Sequence, residues 1–200
     1  SPHDFCSMRP QQKSLRNRVR THAPTFQAAQ CPDWLIADLR SDHAGELGAV
    51  MIYTGILAVS RDQAVRTFAQ EHLVTEQEHL QLMESLLPSN LRSKAQLPWR
   101  VAGWLIGALP ALMGEQWVFA TIEAVETFVD EHYAEQIDRL NLRGLDDALQ
   151  ETLEACRADE IAHKHDAAAR RSGPPSLALL LWLRAVRWGS KAAVRVARAI

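Results

Sequence analysis

Residues 158–166 read ADEIAHKHD, and within that run Glu160 and His163 stand three apart in a stretch free of Gly and Pro. On a helix such a pair shares one face, separated by about 4.5 Å along the axis. It could be half of a metal site or an ordinary solvated surface pair. The rest of the chain decides between them. Glu76 and His79, in EQEH (76–79), repeat the same spacing. Glu46 lies thirty residues before Glu76, and Glu126 lies thirty-four before Glu160. Seven residues after each of these single glutamates comes a tyrosine, Tyr53 and Tyr133, and the chain has no others.

The periodicity places these residues on helices. Pro32-Asp33 opens the first, WLIADLRSDHAGELGAVMIYTGILAV, and the chain turns back near Ser60-Arg61-Asp62, where Ser or Asp can cap the next helix. That second helix runs to Leu87 and stops at PSN. VAGWLIGALPALMG (101–114) is apolar throughout but short of the roughly 20 residues that span a bilayer, so it reads as a buried or interfacial helix. Further helices are expected over about 115–141, 144–170 and, beyond SGPP (172–175), 176–200. No strand-like alternation, Gly-rich phosphate loop, GxSxG elbow or HExxH competes. The expected fold class is all-α: a four-helix bundle with an added apolar helix and a C-terminal amphipathic helix.

The sequence thus holds two matching hairpins, each reading Glu…Tyr on its first helix and ExxH on its second. Four antiparallel helices can project such residues into a shared interior, and one Glu from each of two helices plus an ExxH from each of the other two is the donor set of di-iron carboxylate bundles. Oxygen and nitrogen ligands suit two iron or manganese ions, whereas structural zinc takes fewer ligands and often thiolates. In this reading Glu76 and Glu160 bridge, Glu46 and Glu126 are terminal ligands, and His79 and His163 add a nitrogen to each ion. Glu46 in AGELGAV and Glu126 in TIEAVETFV lie in apolar surroundings where an unpaired carboxylate is costly. Tyr53 and Tyr133 should face the site, either as core residues or as partners of its ligands. His132 is a candidate neighbour, Asp42 and Asp159 are candidate orienting partners, and His43, His72 and His165 carry no assignment.

Composition bounds the setting. Two hundred residues with 47% apolar content suit one domain. The net charge of −2 conceals +4 over residues 1–20 and +7 over residues 170–200, which leaves −13 for the middle. Basic ends imply an anionic partner such as lipid headgroups or nucleic acid. Cys6, Cys31 and Cys156 are odd in number and widely spaced, which argues against a disulfide framework or zinc ribbon and for a reducing compartment. The opening lacks an apolar signal region, so residues 1–32 read as a disordered tail or a targeting segment. In the last helix Arg184, Arg187, Lys191, Arg195 and Arg198 form a basic stripe beside Trp182, Trp188, Val194 and LALLLWL. That combination fits a helix lying in an anionic membrane interface. A stripe facing water or the acidic body is the alternative.

DHAGELGAVMIYTGILAV, EQEHL, AVETFVDEHYAEQI, ADEIAH and GSKAAVRVARAI resemble, in order and spacing, the demethoxyubiquinone hydroxylase family over about residues 34–200. The resemblance implies a ferritin-like di-iron monooxygenase of ubiquinone biosynthesis. Its iron ligands fall on Glu46, Glu76, His79, Glu126, Glu160 and His163, and its histidine–tyrosine pair, taken as catalytic, on His132 and Tyr133. It implies O₂-dependent hydroxylation of demethoxyubiquinol, with reduced nicotinamide as the electron source, directly or through a carrier. The expected setting is peripheral, on the cytoplasmic face of a bacterial inner membrane or the matrix face of the mitochondrial one. Other ubiquinone-biosynthesis proteins or a second copy are candidate partners, and nucleic acid is not expected. The rival readings are a ferritin- or rubrerythrin-type oxidase or peroxidase, for which a CxxC electron donor is missing from the chain, and a hydroxylase of another quinone.

Overall fold

Six α-helices and one short 3₁₀ turn make up a computed structural model that describes residues 31–144 and 147–200. The expectation for residues 1–32 therefore falls almost wholly outside the described residues. The helices are α1 (Asp33–Val59), α2 (Gln63–Leu86), α3 (Gln96–Met113), α4 (Glu115–Arg143), α5 (Asp147–Ala169) and α6 (Leu177–Ala199). The described residues contain no strand. Helix α3 starts five residues before the apolar run, because Gln96–Arg100 forms its first turns with Pro98 where no intrahelical N–H bond is needed.

Helix ends follow local chemistry. The Asp62 carboxylate accepts a hydrogen bond from Val65 N at 2.9 Å and starts α2, while Ser176 Oγ accepts one from Leu179 N at 3.2 Å and starts α6. Gly114, at φ 109°, separates α3 from α4, and Gly144, at φ 58°, ends α4 in the left-handed conformation.

α1 pairs closely with α2, and α4 pairs closely with α5. The two hairpins face one another at wider spacing, and the carboxylates and imidazoles fill the interval. Apolar clusters close both ends of that interval. One gathers Leu39, Met83, Leu87, Tyr133, Leu140 and Leu153; the other gathers Tyr53, Ile56, Phe68, Phe119, Ile122 and Ala167. Each cluster thus carries one of the two tyrosines.

α1 is the hub, packed by α2, α3 and α6, and it buries residues around its whole circumference. Its contact with α3 is a glycine seam. A Cβ on Gly103 would collide with the Gly48 carbonyl, one on Gly107 with the Ile52 carbonyl, and one on Gly55 with the Trp104 carbonyl. Backbone meets backbone there, which only glycine permits. The opposite face of α3 exposes Leu97, Val101, Leu105, Leu109, Leu112 and Met113.

α6 lies across α1 and α4. It buries Leu179, Val186 and Ala197, and Trp182 Nε1 donates to Thr121 Oγ1 at 2.9 Å. Two members of its basic stripe are tied to the body: Arg187 pairs with Glu131 at 3.1 Å, and Arg198 pairs with the buried Asp38 at 2.8 Å. Arg184, Lys191 and Arg195 remain exposed, as do Leu177, Leu181 and Trp188. No helix among the described residues is long and apolar enough to cross a membrane.

Candidate metal centre

The six residues singled out by spacing converge. Glu46 comes from α1, Glu76 and His79 from α2, Glu126 from α4, and Glu160 and His163 from α5, and none exposes more than 4% of its surface. Their ligand atoms form two overlapping groups, Glu46–Glu76–His79–Glu160 and Glu76–Glu126–Glu160–His163, and within each group the atoms lie within 4.8 Å of one another. Glu76 and Glu160 belong to both groups.

His79 Nδ1 lies 2.8 Å from Glu160 Oε1 and 3.6 Å from Glu46 Oε2. His163 Nδ1 lies 2.9 Å from Glu76 Oε1 and 3.6 Å from Glu160 Oε2. Close as these atoms are, both Nδ1 atoms, both Glu76 oxygens, Glu126 Oε2 and Glu160 Oε1 lack a hydrogen bond of proper geometry. Buried polar atoms left in this state are costly. Here they aim at common points between the helices, so the donor set fits two divalent ions.

Electrostatics agree. Burial and then the Glu160 charge push Glu76 up to about 8, and burial with Glu160 and Glu76 pushes Glu126 well above the usual carboxylate range. Burial opposes a charged His163, but Glu160 and Glu76 outweigh it and lift the imidazole to about 10. Against the same penalty of burial, His163 and His79 hold Glu160 well below its ordinary value. Glu76, Glu126 and His163, brought together out of water, hold protons that two divalent cations would displace.

The surroundings fix the ligands. Tyr53 Oη donates to Glu126 Oε1 at 3.0 Å, and Tyr133 Oη donates to Glu46 Oε1 at 2.5 Å. Each tyrosine therefore serves the glutamate of the other hairpin. His79 Nε2 is 3.3 Å from Asp159 Oδ2, which orients the ring and directs Nδ1 inward. On the other side the His72 ring packs edge-on against His163, centroids 4.1 Å apart, and His72 Nε2 meets Asp166 Oδ2 at 2.9 Å. Burial and His163 bring His72 down to about 4, so it is neutral at pH 7.

His132 stands at the wall of a cavity of about 40 Å³ that reaches Glu46, Glu76, Glu126 and Glu160. Its Nε2 lies 3.1 Å from Ser41 Oγ and 3.2 Å from Asp42 Oδ1. Gln136 Nε2 donates to Asp42 Oδ1 at 2.7 Å, and burial raises the Asp42 pKa. Ala49, Phe128, Val129 and, from α6, Val194 supply the apolar wall.

Sequence reasoning named Asp159 and Asp42 without a basis for choosing them, left His72 unassigned, and passed over Gln136, Ser41 and Asp166. His72 carried a usable signal, because four residues before Glu76 is the same helix face. Asp159 carried none: it acts on a histidine of another helix. His43 is buried and lies 3.8 Å from Glu84.

A family model described as "Ubiquinone biosynthesis protein COQ7" matches residues 34–197. Among curated proteins, the chain is 39% identical over 130 residues to the NADPH-dependent 3-demethoxyubiquinone 3-hydroxylase, mitochondrial, of Dictyostelium discoideum, covering 64% of this chain and 60% of that protein. It is 33% identical over 165 residues to the 3-demethoxyubiquinol 3-hydroxylase of Rhodospirillum rubrum, covering 81% and 76%. The Caenorhabditis elegans NADPH-dependent 3-demethoxyubiquinone 3-hydroxylase, mitochondrial, is 33% identical over 168 residues, covering 81% and 88%. Since the family match takes in all six converging residues, as well as Tyr53, Tyr133 and α6 almost to its end, the chain belongs to the ubiquinone biosynthesis protein COQ7 family.

Proposed function

We propose that this chain is an O₂-dependent di-iron monooxygenase that hydroxylates the ring of demethoxyubiquinol in ubiquinone biosynthesis, at a membrane surface. The observation that carries the reading is the pair of overlapping ligand groups sharing Glu76 and Glu160. The names of the relatives supply the substrate and a nicotinamide reductant. Two bound irons would supply a centre able to reduce O₂ with electrons pooled from both.

The protein's own residues hold and shield that centre. Glu46 and His79 complete one ligand group, and Glu126 and His163 complete the other. Tyr133 and Tyr53 each occupy one oxygen of a terminal glutamate, which would leave its other oxygen to hold an ion. The apolar end clusters and the Ala49, Phe128, Val129 and Val194 wall keep bulk water from the carboxylates. His132, held between Ser41 and Asp42 at the cavity wall, is placed to hold or pass a proton at Nε2.

A polyprenyl quinol resides in the bilayer, so its ring must be met at the interface. The exposed apolar side of α3, with Leu181 and Trp188 of α6 and the exposed Arg184, Lys191 and Arg195, supports peripheral attachment to anionic lipid. The relatives come from mitochondria and from bacteria, so either inner membrane suits this attachment.

The test is a single turnover. Protein loaded anaerobically with Fe(II) is given demethoxyubiquinol and then O₂, and the quinone is weighed by mass spectrometry. A product heavier by one oxygen, absent with Glu126→Ala, is the expected result. Iron oxidised with the quinol untouched would favour an oxidase or peroxidase, or another substrate.

A further inference from the structure

The two ligand groups are alike in composition, but their histidines are not held alike. His79 is fully buried and its outer nitrogen meets the Asp159 carboxylate at 3.3 Å. His163 has no such carboxylate among the described residues: the edge of the His72 ring packs against it, and the nearby Asp166 is engaged by His72 and Arg170. The terminal glutamates, by contrast, are matched, each taking one tyrosine hydroxyl. The two shared glutamates cancel by definition. What distinguishes the positions is therefore the support behind each imidazole.

We infer that the two ion positions fill in order, the Glu46–His79 position first and more tightly, with Asp159 as the positioning residue that sets the order. A carboxylate accepting from the outer nitrogen fixes the tautomer, locks the ring and makes the inner nitrogen a better donor, an effect worth about 10- to 100-fold in metal affinity. The Glu126–His163 position lacks that support and is the exchangeable one. The inference rests on the di-iron reading and concerns how the site is assembled rather than what it oxidises.

Metal-free full-length protein would be titrated anaerobically with Mn(II), following heat by calorimetry and free Mn(II) by electron paramagnetic resonance. Two separate steps are expected, the first at least about tenfold tighter. Asp159→Asn weakens the first step selectively, by about 10- to 100-fold, and Asp159→Glu restores part of it. Asp166→Asn leaves the first step unchanged. Crystals grown at one equivalent of Mn(II) should show the anomalous signal beside Glu46 and His79. Two indistinguishable steps, an Asp159→Asn effect shared equally by both, or a first ion beside Glu126 and His163 would overturn the order while leaving the metal centre intact. No Mn(II) binding at all would overturn the di-iron reading along with it.

Discussion

Tyr133 of α4 donates its hydroxyl to Glu46 of α1 at 2.5 Å, across the bundle rather than along its own helix. Tyr53 of α1 returns the contact to Glu126 of α4 at 3.0 Å. The two bonds form a reciprocal clasp between the hairpins, each embedded in a different apolar end cluster.

Breaking one half of the clasp should cost stability without emptying the site. Tyr133→Phe keeps the ring in its cluster but leaves Glu46 Oε1 without its donor. A loss of about 1–3 kcal/mol is expected in urea denaturation of the metal-free protein. Two Mn(II) ions should still bind, because Glu46 Oε2 is untouched. A stability equal to wild type would show that the hydroxyl contributes nothing net.

The glycine seam between α1 and α3 makes a sharper contrast. Gly107→Ala drives a methyl into the Ile52 carbonyl, a backbone atom that cannot swing aside, and should destabilise by about 1–3 kcal/mol or more. Gly189→Ala, in α6, meets nothing within 4 Å and should gain up to about 1 kcal/mol from helix propensity. Melting temperatures of the two variants should move in opposite directions.

Asp130 ties α4 to α5 through Arg157 at 2.8 Å and Lys164 at 2.6 Å. Partial burial raises its pKa, but Lys164 and Arg157 outweigh this and leave it below the ordinary 3.8. A group depressed in the folded state stabilises above its unfolded pKa and loses that contribution as pH falls through the folded one. Asp130→Asn should therefore cost about 1 kcal/mol or less at pH 7, with the difference from wild type shrinking below about pH 4. Urea melts at stepped pH values check this, and a difference that grows on acidification would contradict it.

Membrane attachment is best tested without deleting α6, because α6 also packs on α1 and α4. Arg184→Glu, Lys191→Glu and Arg195→Glu together reverse the charges left exposed while keeping Arg187–Glu131 and Arg198–Asp38. Binding to anionic vesicles should fall by at least tenfold, given about 1 kcal/mol per basic residue near such a surface. Unchanged binding in a sedimentation assay would place the attachment on α3 instead.

Much of this protein could be read from one dimension. Helix periods, a Ser or Asp cap near residues 60–62 and the two Glu…Tyr/ExxH hairpins are local patterns, and local geometry fixes which residues share a helix face. The four carboxylates and two imidazoles could be named because each ExxH is a one-turn relation repeated at matched distances from a single glutamate. Local pattern cannot say which helix stands opposite. The crossed tyrosines, Asp159 behind His79, the glycine seam between α1 and α3, and Asp38 as partner of Arg198 all join residues far apart in sequence. Only the packing of whole helices, which is settled by side-chain shape on both partners at once, brings those pairs within reach.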